Sequence, residues 1–231
     1  MRILSIDVGG THVKSLLSDQ DESKKKKAPS GPDMTPQQMV DKILDLNSGE
    51  KFDRVAIGIP APIVDARPYR DPVNLGGGWT DFDFQKPFGC PVKILNDAAM
   101  QAVGSYEGQR MLFLGLGTGL GSTYIINYHV VPLELAHMPF KSSTYEHYVS
   151  EAFKEEKGKK KWRKEVAEVV EILTDALLPK YIVLGGGNAN ALDEMPPLCR
   201  LGDNANAFKG GFEIWNDDRW SSTVPTLGES V

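Results

Sequence analysis

Met1-Arg2-Ile3-Leu4-Ser5-Ile6-Asp7-Val8-Gly9-Gly10-Thr11-His12-Val13-Lys14 is the stretch around which the rest of the chain is arranged. Residues 1–8 read as a short apolar strand, and Gly9-Gly10-Thr11 as a turn. From His12 to Leu17 polar and apolar residues alternate, as in the returning strand of a hairpin. Two glycines permit φ > 0 and leave backbone N–H groups uncovered by side chains. Thr11 adds a hydroxyl, and Asp7 sets a carboxylate just before the turn. A phosphate chain needs such a set: exposed donors for its oxygens, and a carboxylate near its counter-cation or that ion's waters. An ordinary tight hairpin has the same local signature, and only the later segments of the chain can separate the two.

Arg110 to Gly121 repeats the opening theme. An apolar strand runs into Gly117-Thr118-Gly119, and Ser122 to Val131 returns as a second strand. Tyr181-Ile182-Val183-Leu184 enters a third glycine turn, Gly185-Gly186-Gly187-Asn188, suited to a phosphate or nucleotide. Two matched strand–glycine–strand hairpins, one in each half, predict two similar α/β lobes facing each other across a phosphate. The expected division is 1–105 and 106–231, with the last helix packing back on the first lobe.

The intervening segments fill in this plan. Asp19 to Asp33 is polar and holds Lys24-Lys25-Lys26-Lys27, read as a solvated loop. Thr35 as N-cap, Pro36 at N1 and Gln38 at N3 start a helix, whose buried face is Met39, Val40, Ile43, Leu44 and Leu46. Asp53 to Pro62 is a buried strand ending in a stiff loop. Pro72 to Trp79 is too glycine-rich for regular structure and reads as either a lid or a rigid turn. In it, Asn74 offers an amide to sugar hydroxyls and Trp79 a flat ring to the sugar's apolar face; a plain loop over a buried Trp is the alternative. Pro91 to Leu95 is a strand that delivers Asn96-Asp97 to the start of a helix, where a carboxylate faces a cleft or merely caps. Glu134-Leu135-Ala136-His137 comes after the second glycine hairpin, residues 143–178 are mainly helical, and Asn204 to Trp215 forms a final helix before an irregular tail. The basic run Lys157 to Lys164 reads as a solvated helix face.

Totals bound the function. The chain has 231 residues, 41% hydrophobic and 25% charged, which suits a water-soluble protein with a substantial core. A formal net charge of -5 argues against general nucleic-acid binding. Cys90 and Cys199 stand far apart in no metal-binding spacing, and no apolar run is long enough to span a bilayer. A cytoplasmic protein is expected.

Ile6-Asp7-Val8-Gly9-Gly10-Thr11, Asn96-Asp97-Ala98, Leu116-Gly117-Thr118-Gly119-Leu120-Gly121, Glu134-Leu135-Ala136-His137 and Leu184-Gly185-Gly186-Gly187 occur in the order seen in ROK-family sugar kinases. The chain resembles that family, and its polyphosphate glucokinase branch most. The resemblance implies the actin/Hsp70/hexokinase superfamily fold, two ribonuclease-H-like lobes with the active site between them. It implies Asp97 as general base, with Asn96, Glu134, His137 and Glu146 as sugar contacts beside the Asn74 read from the loop. Asp7, Gly9, Gly10 and Thr11 would make the first phosphate turn, with Asp7 reaching Mg2+ directly or through its waters. Gly117, Thr118 and Gly119 would make the second, and Gly186 and Gly187 would lie near a nucleoside. The family's Cys-rich zinc loop is replaced here by Met138 to Tyr145, so no zinc is expected, and Ala136 stands where glycine is usual. With no helix-turn-helix ahead of the first strand in this sequence, a repressor of the family is not expected. The implied activity is Mg-dependent transfer of a phosphoryl group from ATP or polyphosphate to a hexose, glucose first, in a homodimer. A non-catalytic sugar- or nucleotide-binding protein and a superfamily ATPase are the alternatives.

Overall fold

The computed structural model describes residues 1–203, 205–221 and 223–227. The first half is built of β1 (Ile3–Val8), β2 (His12–Leu17), β3 (Lys26–Pro29), α1 (Pro36–Leu46) and β4 (Arg54–Ile59). It continues with the two-residue strands β5 (Ile63–Val64) and β6 (Arg67–Pro68), then α2 (Gln85–Phe88), β7 (Val92–Asn96) and α3 (Asp97–Ser105). The second half has β8 (Arg110–Leu116), β9 (Leu120–Ile126), β10 (His129–Leu133), β11 (Pro139–Phe140) and β12 (Ser143–Thr144). Then come α4 (Tyr145–Val149), α5 (Glu151–Lys157), α6 (Lys159–Leu177), β13 (Tyr181–Gly185), β14 (Cys199–Leu201), α7 (Asn206–Asn216) and α8 (Asp218–Ser221).

The two five-stranded sheets have one plan. Their orders are β3-β2-β1-β4-β7 and β10-β9-β8-β13-β14. In each, three consecutive strands form an antiparallel meander. Two parallel strands then extend the sheet on the other side of its first strand. The two glycine turns therefore occupy equivalent places, at the tip of the first hairpin of each sheet. The parallel strands bring Asp7 level with Gly58 and Gly58 level with Leu95, so β1, β4 and β7 end along one edge. In open α/β sheets that edge is where ligands bind.

Sequence decides most elements directly. Thr35 accepts from the Gln38 N–H while the Gln38 side chain accepts from the Thr35 N–H, a complete capping box. One apolar core joins the first sheet to α1 through Ile6, Val40, Ile43 and Ile57, and another joins the second sheet to α6 through Leu114, Trp162, Val169 and Leu184. The third lies between the sheets, where α3 and α7 contribute Met100, Val103 and Ile214. There α3 and α7 cross so closely that a Cβ on Gly104 would overlap the Asn206 carbonyl, and one on Gly210 the Met100 carbonyl. Neighbouring Gly211 lets α7 rest on Ser5 of β1.

Three readings need correction, and the Pro72–Trp79 loop, left between alternatives, is decided. Most of the lysine run is not loop: Lys24 ends a 3-10 turn, and Lys26 and Lys27 belong to edge strand β3, paired to β2 through Lys14 and Ser15. Lysines on a sheet edge discourage pairing with another chain, which is why the strand looks like a loop in sequence. Ser122 to Val131 is not one strand, since Asn127 and Tyr128 both take positive φ and turn β9 into β10. The Pro72–Trp79 loop is a rigid turn: Asp71 accepts from the N–H groups of Gly78 at 3.2 Å and Trp79 at 2.7 Å, and Gly76 donates to the Met34 carbonyl at 3.1 Å. Trp79 is fully buried beside Phe84, so its ring belongs to the core and has no face for a sugar. In the tail, Trp220 lies in α8 and stacks edge-on with Tyr106 and Tyr128, while Leu227 donates to the Val92 carbonyl. Asn204, the expected first residue of the last helix, and residues 228–231 lie outside the described set.

Candidate active site

Asp97 opens α3 at the end of β7. Capping falls to Asn96, whose Oδ1 accepts from the N–H groups of Ala98 at 2.9 Å and Ala99 at 3.3 Å. Its Nδ2 donates to the Ala61 carbonyl at 3.1 Å, so the side chain expected to hold a sugar hydroxyl keeps one N–H for that purpose. Asp97 accepts from Ala98 at 2.8 Å and, among the described residues, has no ion-pair partner. Burial pushes its carboxyl up to about 7, the charge of Asp7 adds to the effect, and that of Glu134 adds further. Three carboxylates from distant parts of the chain thus share one field. Asp7 is held by Lys14, Nζ to Oδ2 at 3.1 Å.

Both glycine turns offer backbone donors. Gly9 closes the first turn by donating to the His12 carbonyl at 3.0 Å, and Gly117 closes the second by donating to the Gly119 carbonyl at 3.1 Å. Among the described residues, the N–H groups of Gly10, Thr11, Thr118 and Gly119 have no protein acceptor. Asn74 reaches the first turn, since a Cβ on Gly10 would lie 3.4 Å from its Cβ. The second turn abuts the candidate base: a Cβ on Gly121 would lie 2.7 Å from the Cβ of Ala98. The two hairpins and the start of α3 therefore meet at one place.

The remaining candidates are arranged unevenly. Glu146, near the start of α4, accepts from the Leu120 N–H at 3.2 Å and packs on Gly119, so it braces the second turn. Exposed Glu134 sits 3.8 Å from Arg70, an ion pair that joins the two halves. His137 ends a single 3-10 turn, Leu135–His137, and is exposed; no described contact ties it to the carboxylates. Gly186, at φ +81, tucks under Leu116, where any side chain would strike backbone. Gly187 has open space beside it. A pocket of 110 Å³ lined by Ile63, Ala66, Asn96, Val130 and Val224 is mainly apolar and lies beside the carboxylates rather than at them.

Lys14, Arg70, Asn188 and Lys154 escaped the reading of sequence. Buried Asn188 donates to the Gly117 carbonyl at 3.1 Å, and its backbone N–H to the Leu116 carbonyl at 2.9 Å, locking the third glycine turn to the second. Its place immediately after three glycines was the available signal. Lys154 bonds the Asn188 amide oxygen, a contact between segments 34 residues apart that no local pattern announces. No helix among the described residues is long and apolar enough to cross a membrane.

The arrangement can orient a phosphate chain between two sets of backbone donors and present it to a hydroxyl beside a carboxylate poised near neutrality. Known proteins resemble the chain in sequence and in fold. The ROK family model matches residues 3–132. The polyphosphate glucokinase of Mycobacterium tuberculosis is 26% identical over 213 residues, spanning 84% of this chain and 80% of that protein. The inorganic polyphosphate/ATP-glucomannokinase of Arthrobacter sp. strain KM superposes with a TM-score of 0.75 at 21% identity, covering 91% of this chain and 96% of that one. A ROK family glucokinase from Streptomyces griseus, solved with glucose and AMPPNP, gives 0.71 at 15% identity over 93% and 99%. Two sheets of one plan, the paired glycine turns and a family match over more than half its length lead to one conclusion: the chain belongs to the ROK family, with the actin/hexokinase-type fold.

Proposed function

We propose that this chain is a hexose kinase that moves a phosphoryl group from polyphosphate or ATP to a sugar hydroxyl, with glucose the first candidate acceptor. The observation that carries the reading is Asp97: a carboxyl raised to about 7, with Ala98 next to it in contact with the second glycine turn. In this role Asp97 accepts the proton of the attacking hydroxyl. Its raised affinity for protons matches it to neutral pH, where a useful fraction remains ionised and ready to accept. Asn74, Asn96, Glu134, His137 and Glu146 form the sugar side. The N–H groups of Gly10, Thr11, Thr118 and Gly119 receive phosphoryl oxygens, and Gly186 and Gly187 lie toward a nucleoside. Closure of residues 1–105 upon 106–231 excludes water, which otherwise competes as acceptor.

The residues present suit Mg2+. Asp7 is a single carboxylate whose Oδ2 is paired with Lys14, beside a turn with free N–H groups among the described residues, and Mg2+ is ordinarily held by one or two carboxylates, water and substrate phosphates. When bound, the ion neutralises charge on the donor's oxygens. A zinc site has no part in this reading. The protein acts in the cytoplasm, as a homodimer, on small molecules.

Replacing Asp97 with Asn tests the assignment. The variant should lose at least about a thousandfold in kcat. Its glucose affinity, read by calorimetry, should stay within about threefold. Turnover above a tenth of wild type would remove Asp97 from the role.

A further inference from the structure

We infer that Lys154 is a donor-side residue that grips the oligophosphate chain at the second glycine turn; the inference rests on the kinase reading above. Its side chain is only 15% exposed, at the second turn of α5. Its Nζ bonds the Oδ1 of buried Asn188, and the Nδ2 of the same amide holds the Gly117 carbonyl. The ammonium is thus one side chain away from the turn whose Thr118 and Gly119 N–H groups have no acceptor. Beside Gly117 and Gly187 the space is open, so a ligand can approach from that side.

Charge decides the matter. An ammonium largely withdrawn from water needs an anion, or it costs stability. Lys154 has a neutral amide as its close partner, and its nearest carboxylate, Glu151, is 4.0 Å away and half-exposed. Screened by water, such a pair offsets little. Glu146, the other carboxylate at this turn, is engaged by the Leu120 N–H. The Trp162 ring lies 5.9 Å from the ammonium and adds a weak cation–π contact, so among the described residues the charge beside the turn has no close anion. Phosphate oxygens bound to the turn would complete it, with lysine acting as a point charge whose three N–H groups can bond both Asn188 and the ligand. A purely structural lysine, there to hold Asn188, is the competing account. An amide oxygen in that place could be satisfied by an uncharged donor.

The test separates the two. Lys154→Met and Lys154→Gln should raise the KM for the donor about tenfold or more, while the KM for glucose stays within about twofold; Lys154→Arg should recover much of the loss. Calorimetric binding of tripolyphosphate and of ATP, each without sugar, gives a second reading that does not depend on turnover. Weaker binding of both supports a grip on the chemistry they share. Weakening of tripolyphosphate alone or of ATP alone supports the grip and names the donor. Unchanged binding of both, or an equal rise in the KM of sugar and donor, overturns the assignment. In the wild-type chain tripolyphosphate should slow acetylation of Lys154, read by mass spectrometry, so the proposal is exposed even if the neutral variants do not fold; an unchanged acetylation rate overturns it. Wild-type protein that binds neither donor overturns the kinase reading as well.

Discussion

Asp97 holds its proton more tightly folded than unfolded, which has two consequences at the scale of one residue. Ionised Asp97 is the competent base, so kcat/KM for the sugar should fall below about pH 7, approaching tenfold per unit. A pH–rate profile flat between 5 and 8 would contradict this. For stability the sign is opposite to that of a salt-bridged carboxylate. The folded state binds the proton more readily, so Asp97's contribution is full below its ordinary value of 3.8 and is lost as pH rises through about 7. Asp97→Asn should therefore melt above wild type at pH 8, with the gap closing toward pH 4. A gap independent of pH would show that the carboxyl is not strained by its surroundings. Single residues were also where sequence reached its limit. Asp97 was legible because it stands where a strand becomes a helix. Trp79 was not, because a glycine-rich loop gives no period from which to infer that its ring turns inward. Lys154 was hidden in a run of charges, since its meaning comes from Asn188, which only the fold brings to it.

Among elements, α1 and the α3–α7 crossing are contrasting cases. The capping box of α1 was written in four consecutive residues, and the structure reproduces it. Thr35→Ala should cost about 1 kcal/mol and roughly 2–4 °C in Tm, leaving kinase rates unchanged. Equal stability would mean that the cap is redundant. At the crossing, Gly104→Ala places a methyl against the Asn206 carbonyl, with backbone on both sides and no flexible side chain to yield. A loss of about 3 kcal/mol or more is expected, read as a fall in the urea midpoint at constant slope. A neutral substitution would show that α7 can slide. Sequence did not disclose this crossing, because glycine inside a helix signals weakness locally and only the partner helix supplies the reason for it. Edge strand β3 was lost for a related cause: lysines that protect a sheet edge are locally indistinguishable from those of a solvated loop.

At the scale of the whole molecule, the duplicated sheet plan explains why so much was readable. The same strand–glycine–strand phrase occurs at Ile3–Leu17 and Arg110–Ile126, and each copy forms the first hairpin of a five-stranded sheet of the same order. Repetition turned a weak local signal into a statement about topology. The residues that seat α7 on β1, by contrast, Gly211 against Ser5, come from opposite ends of the chain and have no signature in local pattern. The central claim is that the two turns and Asp97 form one phosphoryl-transfer site. Its most direct test is a coupled assay of glucose phosphorylation by the intact chain, with ATP and polyphosphate supplied separately beside a panel of hexoses. Sugar-dependent turnover with at least one donor, abolished by Asp97→Asn, is the predicted result. Folded protein that is silent with every sugar and both donors, or that hydrolyses the donor at a rate indifferent to sugar, would contradict the account.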